Sequence, residues 1–231
     1  MTPIYWVYEM KYLKVVFISS AILLILVLGV VGISKLKKHG KTTGSGSDAE
    51  GTTTQEETTA TDPFLLSDSI TVDYLTVNPN SRPGTALEQV NAIVIHYVGN
   101  PGTTAAQNRS YFENLKDTQE TSASSHYIVG LEGEIIQCVP LEEISYASNN
   151  RNSDTIAIEC CHPDETGEFN SATYNSLVKL TAALCRTYGL DPDTDVIRHY
   201  DVTGKECPKY FVTNESAWYQ FKLDLMNELN Y

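Results

Sequence analysis

Short apolar runs separated by longer amphipathic stretches make up most of the second half of the chain. Three of these runs are rich in β-branched residues and predict buried strands: Asn91–Gly99, Asp154–Cys161 and Asp195–Tyr200. Two further apolar runs flank Glu132 and Gly133, whose turn chemistry predicts a β-hairpin. The pattern therefore places a β-sheet at the centre of the domain.

Helix-period patterns lie between and after these runs. Thr103 or Thr104 can cap a helix over Ala105–Leu115. A longer amphipathic helix begins at Asn170 or Ser171 and is ended by Gly189. Its apolar positions at helical spacing are Tyr174, Leu177, Leu184, Cys185 and Tyr188. The same spacing predicts a closing helix with the apolar residues Trp218, Phe221, Leu225 and Leu229. Strands interleaved with helices predict one α/β domain, with a central mixed β-sheet flanked by helices.

The N-terminal part has a different pattern. From Val15 to Ile33 the chain carries no charged residue, which is close to the ~20 apolar residues that cross a bilayer as a helix. A cleaved signal peptide usually has a core of only ~7–15 residues followed by a small-residue cleavage site. We therefore predict a transmembrane signal anchor at 15–33, preceded by a cytoplasmic segment at 1–14; a cleaved signal is the alternative.

The segment after this run separates it from the domain. Residues 34–62 begin with lysines and continue as Thr, Gly, Ser and acidic residues, without an aromatic side chain after Thr42. Such a composition buries too little apolar surface to offset the entropy of ordering the chain, so a flexible linker is expected. The folded domain is predicted to span 63–231.

Charge excludes one class of partner. Basic and acidic residues balance over residues 1–62, so the net charge of −13 lies on residues 63–231. An acidic domain without a basic stripe is not expected to bind nucleic acid, and its charge favours a soluble monomer. The lysines that follow residue 33 favour a cytoplasmic domain by the positive-inside tendency, which is weaker for large translocated domains.

Three residues have the chemistry of metal ligands. His96 and His199 lie at the ends of predicted strands, and Cys207 follows on the loop after His199. Two imidazoles and a thiolate form a three-ligand zinc set that leaves one tetrahedral position open. The spacing alone leaves coincidence open. The remaining cysteines do not form the pattern of a small disulfide scaffold, and His162 is expected at the surface.

Four blocks, taken in order, resemble a known family: IVIHYVG, SSHYIVGLEGEIIQCVP, DTIAIECC and VIRHYDVTGKECP. They are similar to the zinc-dependent N-acetylmuramoyl-L-alanine amidases of type 2, the family that includes the peptidoglycan recognition proteins. The resemblance implies the α/β fold of this family, with His96, His199 and Cys207 binding one Zn²⁺ per chain. It further implies hydrolysis of the amide between the lactyl group of N-acetylmuramic acid and L-alanine in peptidoglycan.

The same resemblance assigns two catalytic residues. Glu159 occupies the place where some members carry a glutamate that moves the proton from water to the leaving amine. Lys205 matches a lysine that stabilises the oxyanion. The alternatives are a Glu159–Arg198 ion pair and a solvated Lys205. A departure favours Glu159: Ser125 stands where many relatives have a tyrosine that works with the lysine.

Two other functions remain open at this point. The domain could bind peptidoglycan without cleaving it, as a sensor or adaptor, although retention of Cys207 favours catalysis. Cys207 could also be a nucleophile with His199 as its base, and measurement of bound metal separates this reading from a zinc thiolate. If peptidoglycan is the substrate, the anchor must hold the domain outside the membrane, facing the cell wall.

Overall fold

The computed structural model describes residues 70–230. Its strands are β1 (Ile70–Val72), β2 (Ala92–Tyr97), β3 (Tyr127–Val129), β4 (Ile135–Gln137), β5 (Thr155–Cys160) and β6 (Val196–Arg198). Its α-helices are α1 (Ala105–Thr118), α2 (Ser171–Tyr188), α3 (His199–Thr203), α4 (Lys209–Thr213) and α5 (Glu215–Leu229). The predicted α/β domain with a mixed sheet flanked by helices is confirmed in this range.

The strands form one six-stranded sheet in the order β1-β4-β3-β5-β2-β6. The pair β3–β4 is the antiparallel hairpin predicted around Gly133, whereas the other neighbouring pairs run parallel. Strand β2 lies between β5 and β6, and its pairing with β6 ends at Ile95 and Arg198. His96 and His199 are therefore the next residues along two neighbouring parallel strands.

Apolar residues cover both faces of the sheet, because side chains alternate along each strand. On β3, Tyr127 and Val129 belong to one core cluster and Ile128 to the other. The larger cluster contains apolar residues of α2 and α5, and the smaller one contains Phe112 and Leu115 of α1. Phe112 of α1 also lines the cavity of the candidate site on this face of the sheet.

The helix boundaries follow local chemistry. Thr104 caps α1 in a capping box with Gln107, and Asn170 caps α2 by accepting a hydrogen bond from the Thr173 amide. Gly189 ends α2 in the left-handed conformation (φ 66°), which glycine adopts without strain. The predicted caps are confirmed. Strand β1 and helix α4 have no counterpart in the sequence prediction.

Between residues 70 and 230 no helix has the length and apolar character needed to cross a membrane. The predicted anchor at 15–33 and the predicted linker at 34–62 lie outside the described residues.

Candidate active site

His96 is positioned by the most buried strand of the sheet. The β-branched residues Ile93, Val94 and Ile95 fix β2 in the core, and all three are buried. His96 follows them and is 1% exposed. In the parallel pairing of β2 with β5, it lies directly opposite Glu159, so both side chains project from the same face of the sheet.

His199 and Cys207 come from the turn after β6. The sequence predicted a strand through Tyr200, but β6 ends at Arg198 and His199 begins helix α3. This helix ends at Gly204, whose φ is 76°. The chain then folds back, because the Tyr200 amide donates a hydrogen bond to the Cys207 carbonyl at 2.9 Å. This turn returns Cys207 toward His199.

The side chains of His96, His199 and Cys207 converge. One ligand atom from each residue lies within 4.8 Å of the other two. Cys207 Sγ is 3.9 Å from His96 Nδ1, and the two imidazole centroids are 4.6 Å apart. Their role as metal ligands stays a prediction, but the geometry required for it is present.

Glu159 reaches the same place from β5. Its Oε1 is 3.9 Å from His96 Nδ1, and its Oε2 is buried without a hydrogen-bond partner among residues 70–230. Burial raises the pKa of Glu159 to about 8, and the charge of Lys205 opposes this rise. The alternative pairing with Arg198 does not occur, because that guanidinium contacts Asp201 and Glu215 instead.

Burial also keeps the three converging residues uncharged. It lowers the pKa of His96 and of His199, with smaller contributions from Lys205. Burial, followed by the charge of Glu159, raises the pKa of Cys207 to about 12, although the Tyr97 amide and Lys205 act in the other direction. Several electron-pair donors therefore face one another without a positive charge between them. A divalent cation would supply that charge and displace the thiol proton, so this donor set fits a metal such as zinc.

A cavity of about 360 Å³ opens above these residues. Lys205, an exposed residue, lies in its wall together with Glu159. The other lining residues are His96, Tyr97, Phe112, Ser122, Ala123, Ser124, Tyr146, Ala147, Asn149, Asn152, His199 and Cys207. All five residues that the sequence singled out for chemistry thus border one cavity.

The structure adds residues that sequence reasoning missed. Ser148 Oγ is 3.3 Å from His96 Nε2, and Asn149 Oδ1 is 3.0 Å from His199 Nε2. No motif identifies such residues, because they contact the histidines across long sequence separations. The expectation for His162 was wrong: it is 2% exposed, and its two ring nitrogens contact the carbonyls of Asp164 and Val98.

Comparison with known proteins agrees with this geometry. Residues 86–210 match the Amidase_2 family, described as N-acetylmuramoyl-L-alanine amidase. The chain is 34% identical over 172 residues to the N-acetylmuramoyl-L-alanine amidase BlyA of Bacillus subtilis (strain 168), with 66% of this chain and 45% of that protein covered. The solved catalytic domain of XlyA matches with a TM-score of 0.57 at 28% identity, covering 68% of this chain and 98% of that one.

The matched region is one part of the longer relatives. This chain spans 45% of the length of BlyA and 44% of the N-acetylmuramoyl-L-alanine amidase CwlL of Bacillus licheniformis, to which it is 33% identical over 163 residues. The similarity therefore covers the domain that contains the candidate site.

Proposed function

Because this chain belongs to the N-acetylmuramoyl-L-alanine amidase family, we propose that it hydrolyses the amide between the lactyl group of N-acetylmuramic acid and L-alanine in peptidoglycan. The observation that carries the proposal is the convergence of His96, His199 and Cys207 beside Glu159 at one cavity. A site with only a binding role would not require a buried carboxylate opposite a candidate ligand.

In the proposed site His96, His199 and Cys207 hold one zinc ion. Zinc bound there supplies a Lewis acid that polarises a carbonyl and acidifies water to a pKa of about 7. The imidazoles and the thiolate are anchored to β2, α3 and the turn that follows α3. Rigid backbone on every side keeps the donor atoms in place before the substrate arrives, which is the arrangement that metal sites require.

Glu159 moves the proton in this proposal. Its Oε2 has no protein partner in the described domain and is therefore the atom that takes a proton from the attacking water. The same oxygen delivers that proton to the departing nitrogen, which becomes the free amino terminus of L-alanine, while the lactyl carbonyl becomes a carboxylic acid. A general acid–base residue works best when its pKa lies near the working pH; in the metal-free domain burial raises the pKa of Glu159 to about 8, and a bound cation would lower it from that value.

Lys205 supplies a positive charge at the proposed site. It lies in the cavity wall, and its positive charge contributes to the lowered pKa of His96 and His199 and offsets part of the rise that burial causes in the pKa of Glu159. A cation at this position stabilises the negative charge that develops on the carbonyl oxygen, an effect of about 2–4 kcal/mol when the donor is well placed.

The location follows from the substrate. We propose that residues 15–33 anchor the chain in the cell membrane and that residues 63–231 form the domain on the outer side, with the linker at 34–62 setting its reach to the wall. Peptidoglycan lies outside the membrane, and this requirement outweighs the lysines after residue 33.

The test uses the purified full chain, Zn²⁺ and isolated peptidoglycan, with mass spectrometry of the soluble products. We expect stem peptides that carry a free L-alanine amino terminus. Chelation or Cys207→Ala is expected to abolish their release, whereas Cys185→Ala, which alters a buried cysteine of α2, leaves release intact. Undiminished release by Cys207→Ala would rule out the zinc site. Binding of peptidoglycan without release, with zinc bound, would establish the sensor function instead.

A further inference from the structure

One short segment of the chain contacts both candidate histidine ligands. Residues 149–151 form a 3₁₀ turn, and Ser148 directly precedes it. Ser148 Oγ lies 3.3 Å from His96 Nε2, and Asn149 Oδ1 lies 3.0 Å from His199 Nε2. Ser148 and Asn149, which are consecutive in the sequence, thus contact two imidazoles that come from distant elements, β2 and α3.

These contacts fix which nitrogen of each ring is available. Asn149 Oδ1 accepts a hydrogen bond from Nε2–H of His199, so the lone pair of that ring is on Nδ1. In His96, Nδ1 is the nitrogen nearest to Cys207 Sγ and Glu159 Oε1, and Nε2 is the one engaged by Ser148. An acceptor on the far nitrogen of a ligating histidine sets its tautomer and orientation and increases its basicity.

The turn is itself held rigidly. Asn152 Oδ1 accepts hydrogen bonds from the amides of Ala147 (3.1 Å) and Ser148 (2.6 Å). Arg151 Nε forms an ion pair with Asp154 at 2.8 Å. Asn149 has a φ of 54°, in the left-handed region that asparagine tolerates better than most residues. The local sequence therefore fixes the positions of the Ser148 and Asn149 side chains independently of a metal.

We infer that Ser148 and Asn149 are positioning residues that present Nδ1 of His96 and of His199 to the metal and thereby set the zinc affinity of the site. The inference rests on the proposed zinc site and extends it to residues that the family-like motifs do not contain. Its geometric support is that each oxygen lies within hydrogen-bonding distance of an Nε2, while Nδ1 of His96 faces Cys207 and Glu159.

The experiment measures zinc affinity of the metal-free full chain by competition with a chromophoric chelator. Ser148→Ala and Asn149→Gly remove one acceptor each, and glycine keeps the positive φ of position 149. Loss of such an outer acceptor typically weakens metal binding 10–100-fold, so about a tenfold loss is expected for each variant. Asn149→Asp retains the acceptor oxygen and is expected to bind zinc as tightly as the unmodified chain.

Asn150→Ala is the matched control, because Asn150 is the exposed neighbour in the same turn and contacts neither imidazole. A merely structural role is separated by thermal unfolding of the metal-free proteins. We expect Ser148→Ala and Asn149→Gly to unfold within about 4 °C of the unmodified chain, while the stabilisation that added zinc produces is smaller.

Zinc affinity in Ser148→Ala and Asn149→Gly equal to that of Asn150→Ala would overturn the inference, as would an unmodified chain that binds no zinc. The proposed activity is tested separately. If the variants bind zinc more weakly but the unmodified, zinc-loaded chain releases no peptide, the inference stands and the hydrolase proposal fails. If the unmodified chain releases peptide and the variants bind zinc normally, the proposal stands and the inference fails.

Discussion

At the residue scale, burial decides the chemistry of the site. Glu159 lacks a partner for Oε2 among the described residues, and leaving a buried polar atom unpaired costs about 1–3 kcal/mol. This unpaired oxygen belongs to a side chain that faces the candidate ligands, and an unpaired carboxyl oxygen in such a place indicates a functional site.

Replacement of Glu159 tests its role as the proton carrier. Glu159→Gln keeps the shape of the side chain but cannot accept a proton near neutral pH. We expect turnover to fall by about 10²–10⁴-fold, the usual contribution of general acid–base catalysis, while bound zinc stays at one ion per chain. Peptide release and metal content are measured on the same samples. Glu165→Gln, at an exposed position, serves as the control, and an unchanged rate in Glu159→Gln would assign the proton transfer to another group.

The sequence predicted the candidate ligands from their spacing and family pattern, and it gave no signal for Ser148 and Asn149, which contact them across long sequence separations. His96, His199 and Cys207 were identified because soft-ligand residues at strand ends and loops are conspicuous. Ser148 and Asn149 are ordinary loop residues by composition. His162 was misplaced because the polar residues after it resemble a surface loop, although its ring is held by two backbone carbonyls.

At the scale of the element, hydrogen bonding within α2 is uneven. Thr173 and Thr181 both lie on its buried side and are 0% exposed. Thr173 Oγ1 donates to the Gly130 carbonyl at 2.8 Å, which ties the helix to the hairpin. Thr181 Oγ1 has no hydrogen-bond partner in the described domain. The two positions therefore respond in opposite directions to the same substitution.

Valine is nearly the same shape as threonine and lacks the hydroxyl. Thr181→Val removes an unpaired buried group, so we expect the free energy of unfolding to rise by about 1 kcal/mol. Thr173→Val removes one of the two hydrogen bonds to the Gly130 carbonyl, which still accepts from the Gly133 amide at 3.1 Å, and a decrease of about 1 kcal/mol is expected. Urea denaturation of both variants measures the difference. Equal effects in the two variants would contradict the hydrogen-bond assignment.

Helix α1 is joined to the segment after β1 by a carboxylate. Glu113 accepts hydrogen bonds from the Thr76 amide (3.0 Å) and hydroxyl (2.7 Å) and from Lys116 (2.6 Å). Burial opposes ionisation, but the hydrogen bonds from Lys116 and Thr76 outweigh it and lower the pKa of Glu113 to about 2. The folded state thus favours the ionised form.

This gives a pH-dependent prediction. Because the folded pKa lies below the unfolded value, near 4.5, the contribution of Glu113 is fully present above that value and disappears as the pH falls toward 2. With allowance for solvent screening, Glu113→Gln should lower the free energy of unfolding by about 1 kcal/mol at pH 7. Denaturation at several pH values should show this gap in the free energy of unfolding, between Glu113→Gln and the unmodified chain, closing between pH 4.5 and 2. The exposed Glu120→Gln should show no such gap at any pH.

Element boundaries were predicted well where one signal dominated. Thr104, Asn170 and Gly189 mark helix ends by their own conformational preferences. Strand β1 was missed because three residues at a sheet edge carry little pattern, and they are held by pairing with β4. His199 was assigned to a strand end because a β-branched run precedes it, but Asp201 caps the backbone at Arg198 and starts a helix there.

At the scale of the whole molecule, charge and topology are linked. The domain carries the net negative charge, whereas lysines cluster on both sides of the predicted anchor. An outward-facing domain therefore requires Lys35, Lys37, Lys38 and Lys41 to cross the membrane with it, against the usual bias.

Protease accessibility tests this orientation. In cells whose wall has been removed, externally added protease should digest a tag placed after Tyr231, while a tag before Met1 stays protected until the membrane is permeabilised. Digestion of the N-terminal tag with protection of the C-terminal tag would place the domain in the cytoplasm, away from peptidoglycan. Digestion of both tags before the membrane is permeabilised would show that residues 15–33 do not span the membrane.

The alignment of His96 with Glu159 across β2 and β5 has a consequence for how this domain can change. Their separation is a property of the hydrogen-bonded ladder, in which one inserted residue would turn a side chain to the opposite face. Residues around the opening, such as Phe112 and Tyr146, belong to other segments. The rim can therefore change in sequence, through evolution or by engineering, while the alignment of His96 with Glu159 is retained.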